Sequence, residues 1–323
     1  MTPKQRERFA ADVIGGLQCS PKTLPCKYFY DARGSELFEA ICQTAEYYVT
    51  RADLALHEAH LPEIASCIGP NAHVIEFGSG AGIKTRKLLA ALDNPRAYTP
   101  IEISAAALKR SAKELAQAFP DIEICPVRAD YTRPIDDAAL ALDPPASRRV
   151  VYFPGSTIGN FTADEARDFL VRMGNIAGPK GAVMVGVDLI KPRERLEAAY
   201  DDQDGVTAQF NLNLLLRLQN DLDATLNLDD FAHEARFNDQ ARRIEMHLKA
   251  VRDTAIDLNG QRFELAAGET IHTENSHKYS VSDFRELAET AGLASTRVWK
   301  DPEGLFSMHW LETEKPPAGS TEG

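Results

Sequence analysis

The sequence predicts an α/β protein, a mostly parallel sheet covered by helices on both faces, with a second, inserted α+β domain. Three observations carry this. Strand and helix patterns alternate from His73 to Ile190, the rhythm breaks after Ile190 and resumes at Ser280, and a glycine turn, GSGAGIKT, comes directly after the first strand.

The elements run in order. The apolar run HVIEF enters the turn at Gly78, and GIKTRKLLAAL continues as a helix. A second strand, AYTPIEI, ends at Glu102 and Ile103, and Ser104 caps the helix AAALKRSAKELAQAF. The third, DIEICPV, leads to Ala129, Asp130 and Tyr131. The fourth, RVVYF, stops at Pro154-Gly155, and Thr162 to Glu165 forms a capping box for a helix through about Ile176. The fifth is AVMVGVDLI, from Ala182 to Ile190. Beyond it lie two helical patterns, KPRERLEAAYDD and TAQFNLNLLLRLQNDL. A strand-rich stretch comes next, with ARRIEMHLKAV and a hairpin tipped by Asn259-Gly260. The capped helix VSDFRELAETAG then restores the first pattern, and the strands STRVWK and LFSMHWLE flank the turn Asp301 to Gly304. The expected division is 1–188 with 281–315 for the main domain, 189–280 for the insertion, and 316–323 for a disordered tail. Ligands of open α/β sheets bind beyond the carboxyl ends of the strands, so an insertion leaving the fifth strand there would roof the cleft.

Composition narrows the function. The 323 residues suffice for one large or two moderate domains, and 44% hydrophobic with 26% charged residues is ordinary for a globular protein. Forty-eight acidic against 36 basic side chains give a net charge of -12, which repels phosphate backbones and anionic lipid. No nucleic-acid or membrane partner is therefore expected. The N-terminal MTPKQRERFAADVIGG lacks the apolar core of a signal peptide, and no run approaches the ~20 apolar residues of a membrane span. Cys19, Cys26, Cys42, Cys67 and Cys125 are scattered and form no CxxC, against both a disulfide framework and a thiolate zinc site. A cytoplasmic monomer without metal is the expectation. His57 and His60, one helical turn apart near Glu58 and Glu63, read as a solvated helix face, since the pattern is not HExxH.

The glycine turn decides the ligand class. A Walker A loop requires glycine just before its Lys-Thr pair, and a dinucleotide fingerprint requires a small residue at the same place. Position 83 is Ile. What remains, Glu76-Phe-Gly78-Ser-Gly80-Ala-Gly82, resembles motif I of class I S-adenosylmethionine-dependent methyltransferases. Glu102, 24 positions after Gly78 at the end of the next strand, can accept both ribose hydroxyl hydrogens. Asp130 and Tyr131 are then placed for the adenine, as in methyltransferases of this class, whose Rossmann-like sheet also ends in an antiparallel strand.

Longer stretches are similar to one family, the histidine Nα-methyltransferases of ergothioneine biosynthesis. They include KYFYDARGSELF, VIEFGSGAGIKT, YTPIEIS, FPGSTIGN, RLEAAYDD, FNLNLLLRLQNDL and TENSHKYS, and the resemblance runs from about residue 20 to 312. It implies an enzyme that makes trimethylhistidine (hercynine) from L-histidine with S-adenosylmethionine. The cofactor would be bound by Gly78, Ser79, Gly80, Lys84, Glu102, Asp130 and Tyr131. Asn160 and Tyr200 would hold the carboxylate and amine of the substrate. Tyr47, Met246, Glu274, Asn275 and Ser276 would form the imidazole pocket, and Tyr30 would act near the reacting amine. The chemistry of these residues agrees. An Asn amide can donate to a carboxylate while accepting from an amine. Glu274 and Ser276 alternate on an extended segment and so face one side. The alternatives are an N-methyltransferase of tryptophan or another aromatic amino acid on the same fold, and a P-loop nucleotide-binding protein. An acidic Glu274 favours an imidazole N–H over indole, and Ile83 disfavours the P-loop.

Overall fold

The computed structural model describes residues 1–80 and 82–313. The tail expected to be disordered, 316–323, lies outside the described residues. The chain runs α1 (Pro3–Gln18), β1 (Lys22–Thr23), α2 (Ala32–Ile41), α3 (Val49–Ile68), β2 (Ala72–Phe77), α4 (Ile83–Ala91), β3 (Ala97–Glu102), α5 (Ala105–Ala118), β4 (Glu123–Ile124), β5 (Val127–Arg128) and β6 (Arg148–Phe153). It continues through α6 (Ala163–Ala177), β7 (Ala182–Asp188), α7 (Arg193–Tyr200), α8 (Val206–Leu222), β8 (Phe231–Asn238), β9 (Arg243–Ala250), β10 (Thr254–Leu258), β11 (Gln261–Leu265), β12 (Thr270–His277), α9 (Val281–Thr290), β13 (Leu293–Lys300) and β14 (Phe306–Thr313).

Two units emerge. One, the parallel-sheet unit, comprises Val49–Ile190 and, among the described residues, 279–313. Its sheet has the order β13-β14-β7-β6-β2-β3-β4, with β5 also paired to β3. Strands β2 to β7 pair in parallel, whereas β14 runs antiparallel to both β7 and β13. This is the class I methyltransferase arrangement, with the last strand inserted antiparallel beside the fifth.

Every residue of β2 and β7 is buried, as helices on both faces require. Ile75, Phe77, Val151, Phe153, Val183 and Val185 of the central strands pack with Phe169, Leu170 and Met173 of α6 and Phe284 of α9. Ser104, Thr162 and Ser280 cap their helices as expected, the last two through full capping boxes with Glu165 and Asp283. The third strand expected over 121–127 is instead two short pieces interrupted at Cys125-Pro126. Proline has no N–H to give a ladder, and Cys125 keeps its own bond to the Tyr98 carbonyl at 2.9 Å.

The insertion unit comprises Met1–Tyr48 and Lys191–Lys278. Its four-stranded sheet has the order β1-β12-β9-β8. The first 48 residues, which the sequence pattern assigns to the main domain, pack here. β1 pairs in parallel with the edge of β12, Lys22 opposite Ile271, and α2 packs on α8. Arg217 of α8 donates to the Tyr28 carbonyl at 2.5 Å, and Asn213 donates to Asp31 at 3.0 Å. The hairpin β10–β11 turns at Asn259 (φ 49°) and Gly260 (φ 74°), the two positive angles of a type I′ turn.

β12 is irregular at its centre. His272 pairs with His247 of β9, but Glu274 pairs with Met246, so the register slips by one residue around Thr273. A bulge adds a residue and re-aims the chain. It puts Glu274 and Ser276 on the Met246 face, while His272 stacks on His247 at 4.9 Å on the other.

Candidate active site

In the parallel-sheet unit the turn after β2 is built on three glycines with positive φ: Gly78 (72°), Gly80 (47°) and Gly82 (68°). Only glycine enters this region without steric cost, and its missing side chain leaves the backbone open to a ligand. A Cβ on Gly78 would lie 3.6 Å from the ring of Tyr131, so that aromatic side chain borders the turn directly. Tyr131 also stacks on Phe77 at 5.9 Å between centroids.

The Lys-Thr pair at the end of the turn faces inward. Thr85 donates to Oε2 of Glu76 at 2.6 Å, and Tyr98 donates to the same oxygen at 2.5 Å. Burial pushes the Glu76 carboxyl up to about 7 against these two donors. Lys84 reaches Oδ2 of Asp53 at 2.5 Å, and the amide of Gly155, at the carboxyl end of β6, donates to the same oxygen at 3.0 Å. Burial raises the Asp53 carboxyl, but the charge of Lys84 and the hydrogen bond from His57 outweigh it and hold the carboxyl well below the usual range. With both side chains occupied, the pair has the geometry of a brace rather than of a phosphate cradle.

His57 departs from expectation. It is fully buried, with the hydroxyl of Tyr152 2.7 Å from Nε2 and the Asp53 carbonyl 2.8 Å from Nδ1. His60 contacts the Lys300 carbonyl at 3.0 Å. The i, i+3 spacing places both on one flank of α3, and that flank turns toward the sheet. Among the described residues no cluster of His, Cys, Asp and Glu could hold a metal.

The remaining residues of this unit stand near the carboxyl ends of the strands. Glu102 ends β3, where its Oε1 accepts from the Ser104 amide at 3.0 Å. Asp130 comes after β5 and accepts from the Thr132 amide at 3.1 Å. Ser79 is buried within the turn. Asn160 ends the short 3-10 turn Thr157–Asn160, which is preceded by Ser156 at φ 61°. The open glycine turn, the bordering Tyr131 and the strand-end carboxylates fit a nucleoside-bearing cofactor with backbone contact.

The insertion unit contains a cavity lined by Tyr30, Phe38, Ile41, Tyr47, Ala199, Tyr200, Thr207, Phe210, Met246 and Glu274. It gathers five of the expected substrate and catalytic residues: Tyr30, Tyr47, Tyr200, Met246 and Glu274. Ser276 lies beside it, 2.7 Å from the Tyr200 hydroxyl. Asn275 does not belong with them. Strand alternation turns it to the opposite face of β12, opposite Glu245. Tyr30 packs edge-on against Phe38 at 5.7 Å and Phe210 at 5.8 Å, and Tyr47 meets Tyr200 at 5.9 Å. Glu274 is the one carboxylate among these aromatic walls. Burial pushes it up to about 7, with Lys278 opposing.

Sequence reasoning misses Phe38, Phe210, Asp53 and Lys278. Phe38, Lys278 and Phe210 lie inside the family-like stretches KYFYDARGSELF, TENSHKYS and FNLNLLLRLQNDL, the last in a helical apolar pattern indistinguishable from core. Asp53 carries no local signal.

The comparisons with known proteins converge. The family described as histidine-specific methyltransferase, SAM-dependent, matches residues 9–313. The histidine N-alpha-methyltransferase of Mycolicibacterium smegmatis is 39% identical over 311 residues, covering 94% of each chain. That of Mycobacterium tuberculosis is 38% identical over 305 residues, 92% of each. Ergothioneine biosynthesis protein 1 of Neurospora crassa is 29% identical over 288 residues, 86% of this chain and 32% of that one. With a family match over nearly its whole length, above a methyltransferase sheet and its glycine turn, the chain belongs to the S-adenosylmethionine-dependent, histidine-specific methyltransferases.

Proposed function

We propose that this enzyme transfers three methyl groups in succession to the α-amine of L-histidine, giving hercynine as the first step of ergothioneine biosynthesis. The observation that carries the reading is Glu274: a half-buried carboxylate in a cavity lined, Thr207 apart, by aromatic and apolar groups calls for a ligand with one N–H to give. An imidazole supplies that donor, and the surrounding rings supply contact for its faces. Indole would also donate one N–H, but Met246 opposite Glu274 narrows the site.

When bound, S-adenosylmethionine supplies an electrophilic methyl group on a sulfonium. Gly78, Ser79 and Gly80 would offer backbone to it, Glu102 would accept from its ribose, and Asp130 and Tyr131 would take the adenine. The glycine angles and the bordering Tyr131 support this, and Lys84 would serve chiefly by bracing the turn. On the acceptor, Asn160 and Tyr200 would orient the α-carboxylate and amine, Tyr47, Glu274 and Ser276 the imidazole. Tyr30 would receive, directly or through water, the proton that the amine must shed before each transfer. Its ring, with those of Phe38 and Phe210, suits the accumulating methyl groups and the final quaternary cation. Positioning and desolvation of a neutral amine account for the rate without a covalent intermediate.

Among the described residues no helix is long and apolar enough to cross a membrane. A cytoplasmic, single-chain enzyme is the setting we carry forward, on the scattered cysteines and net charge of -12. The test is incubation with labelled S-adenosylmethionine and a panel of amino acids, read by mass spectrometry. Histidine should gain three methyl groups; tryptophan trimethylated in its place would overturn the reading.

A further inference from the structure

Lys278 sits immediately after β12 and is 2% exposed. Its Nζ donates to Ser276 Oγ at 2.8 Å and to the Tyr200 hydroxyl at 2.9 Å, and it lies 4.7 Å from the centre of the Tyr200 ring. The two hydroxyl oxygens are themselves 2.7 Å apart. An ammonium has donors and no lone pair, so it can meet these oxygens only as acceptors. One hydroxyl must then donate to the other. The hydrogen of the second is directed away from the triangle, which turns the Tyr200–Ser276 pair outward as a donor. Glu274, on the same face of the strand, is the matching acceptor.

A donor beside an acceptor is the pattern that a neutral imidazole completes, with one N–H and one nitrogen lone pair. We infer that Lys278 is a positioning residue for histidine, locking the Tyr200 and Ser276 hydroxyls as a donor beside the Glu274 acceptor. This rests on the histidine reading above. The titratable side chains that line the cavity with Glu274 are Tyr30, Tyr47 and Tyr200; Lys278, hydrogen-bonded to Tyr200, brings a positive charge and, among the described residues, is the group that opposes the effect of burial on this carboxyl. Burying a Lys is costly unless its hydrogen bonds are satisfied, and here two are met by the groups it orients.

The experiment compares the parent enzyme with Lys278→Met and Lys278→Arg, measuring histidine KM, kcat and the pH profile of kcat/KM. S-adenosylhomocysteine-dependent stabilisation reports that each variant is folded. For Lys278→Met, histidine KM should rise about tenfold or more, since two charge-assisted hydrogen bonds are lost. The acid limb should move up by about one pH unit as Glu274 loses its cation. Lys278→Arg keeps the charge but not the shape, so its KM should rise while its acid limb stays; it carries the test if the Met variant does not fold. An active parent whose Lys278→Met variant keeps the same KM and acid limb overturns the assignment alone, as does a shifted limb in Lys278→Arg. A parent that leaves histidine unmethylated overturns the histidine reading and this inference with it.

Discussion

Nζ of Lys84 lies 2.5 Å from Oδ2 of Asp53, whose carboxylate is fully buried and also accepts the Gly155 amide. One carboxylate thus ties the helix after the glycine turn to the loop after β6, on which Asn160 sits.

Removing that carboxylate should be expensive. Asp53→Ala leaves an ammonium and an amide without their acceptor, and breaking a buried pair typically costs about 3–5 kcal/mol; Lys84, partly reached by solvent, puts this case near the lower end. Because the folded carboxyl titrates below its unfolded value, the contribution is complete above about pH 4 and is lost only as pH falls through the folded value. Urea unfolding at pH 7 should show a drop of about 3 kcal/mol. A change under about 1 kcal/mol would mean that the pair is solvated.

Gly78→Ala tests the turn. At φ 72° a Cβ is strained by about 1–2 kcal/mol, although Tyr131 at 3.6 Å leaves it room. Affinity for S-adenosylhomocysteine by calorimetry should fall by about tenfold or more, beyond the modest loss in stability, because the added methyl occupies the open backbone face. Unchanged affinity would remove Gly78 from the cofactor site.

Glu274→Gln separates binding from stability. The folded carboxyl takes its proton near pH 7 and the unfolded one near 4.5, so between these values the folded state holds more protons and stability falls as pH rises. The Gln variant escapes this. It should be more stable than the parent by about 1–2 kcal/mol at pH 8, allowing for partial solvation, and equal to it at pH 4. Histidine KM should nonetheless rise by about tenfold or more. Equal stability at both pH values would place the carboxylate in water.

Tyr30→Phe removes a hydroxyl and keeps the ring. With Phe38 and Phe210 still packed against it, histidine binding should stay within about twofold, while the second and third transfers slow by about tenfold or more. Time courses resolved by mass spectrometry should accumulate mono- and dimethylhistidine. Parent-like progress curves would rule out the proton-relay role.

Much of the parallel-sheet unit is legible because its signals are local: apolar runs of strand length, capping residues at Ser104, Thr162 and Ser280, and glycines where φ must be positive. The division of the chain is less so. β1 is two residues long and finds its partner at Ile271, and nothing near Lys22 announces a pairing so distant in sequence. The site is readable where the family's motifs lie, in Glu274, Ser276 and Tyr200, but Asn275 is carried along by adjacency and then turned away by strand alternation. The bulge at Thr273, on which the aim of Glu274 depends, leaves no mark in composition. His57 eludes the sequence because the spacing of two histidines says nothing about which flank of a helix meets the sheet.

The pairing of β1 with β12 has a further consequence for biosynthesis. Tyr30 and Tyr47 leave the ribosome early, whereas Met246, Glu274 and Lys278 emerge only after the parallel strands β2 to β7 have been made. The amino-terminal segment must therefore wait, unpartnered, while the sheet between its two halves is synthesised. A chain stalled before Glu274 could carry the cofactor turn yet have no pocket for an amino acid, so the residues of acceptor recognition are completed only after those of the cofactor turn.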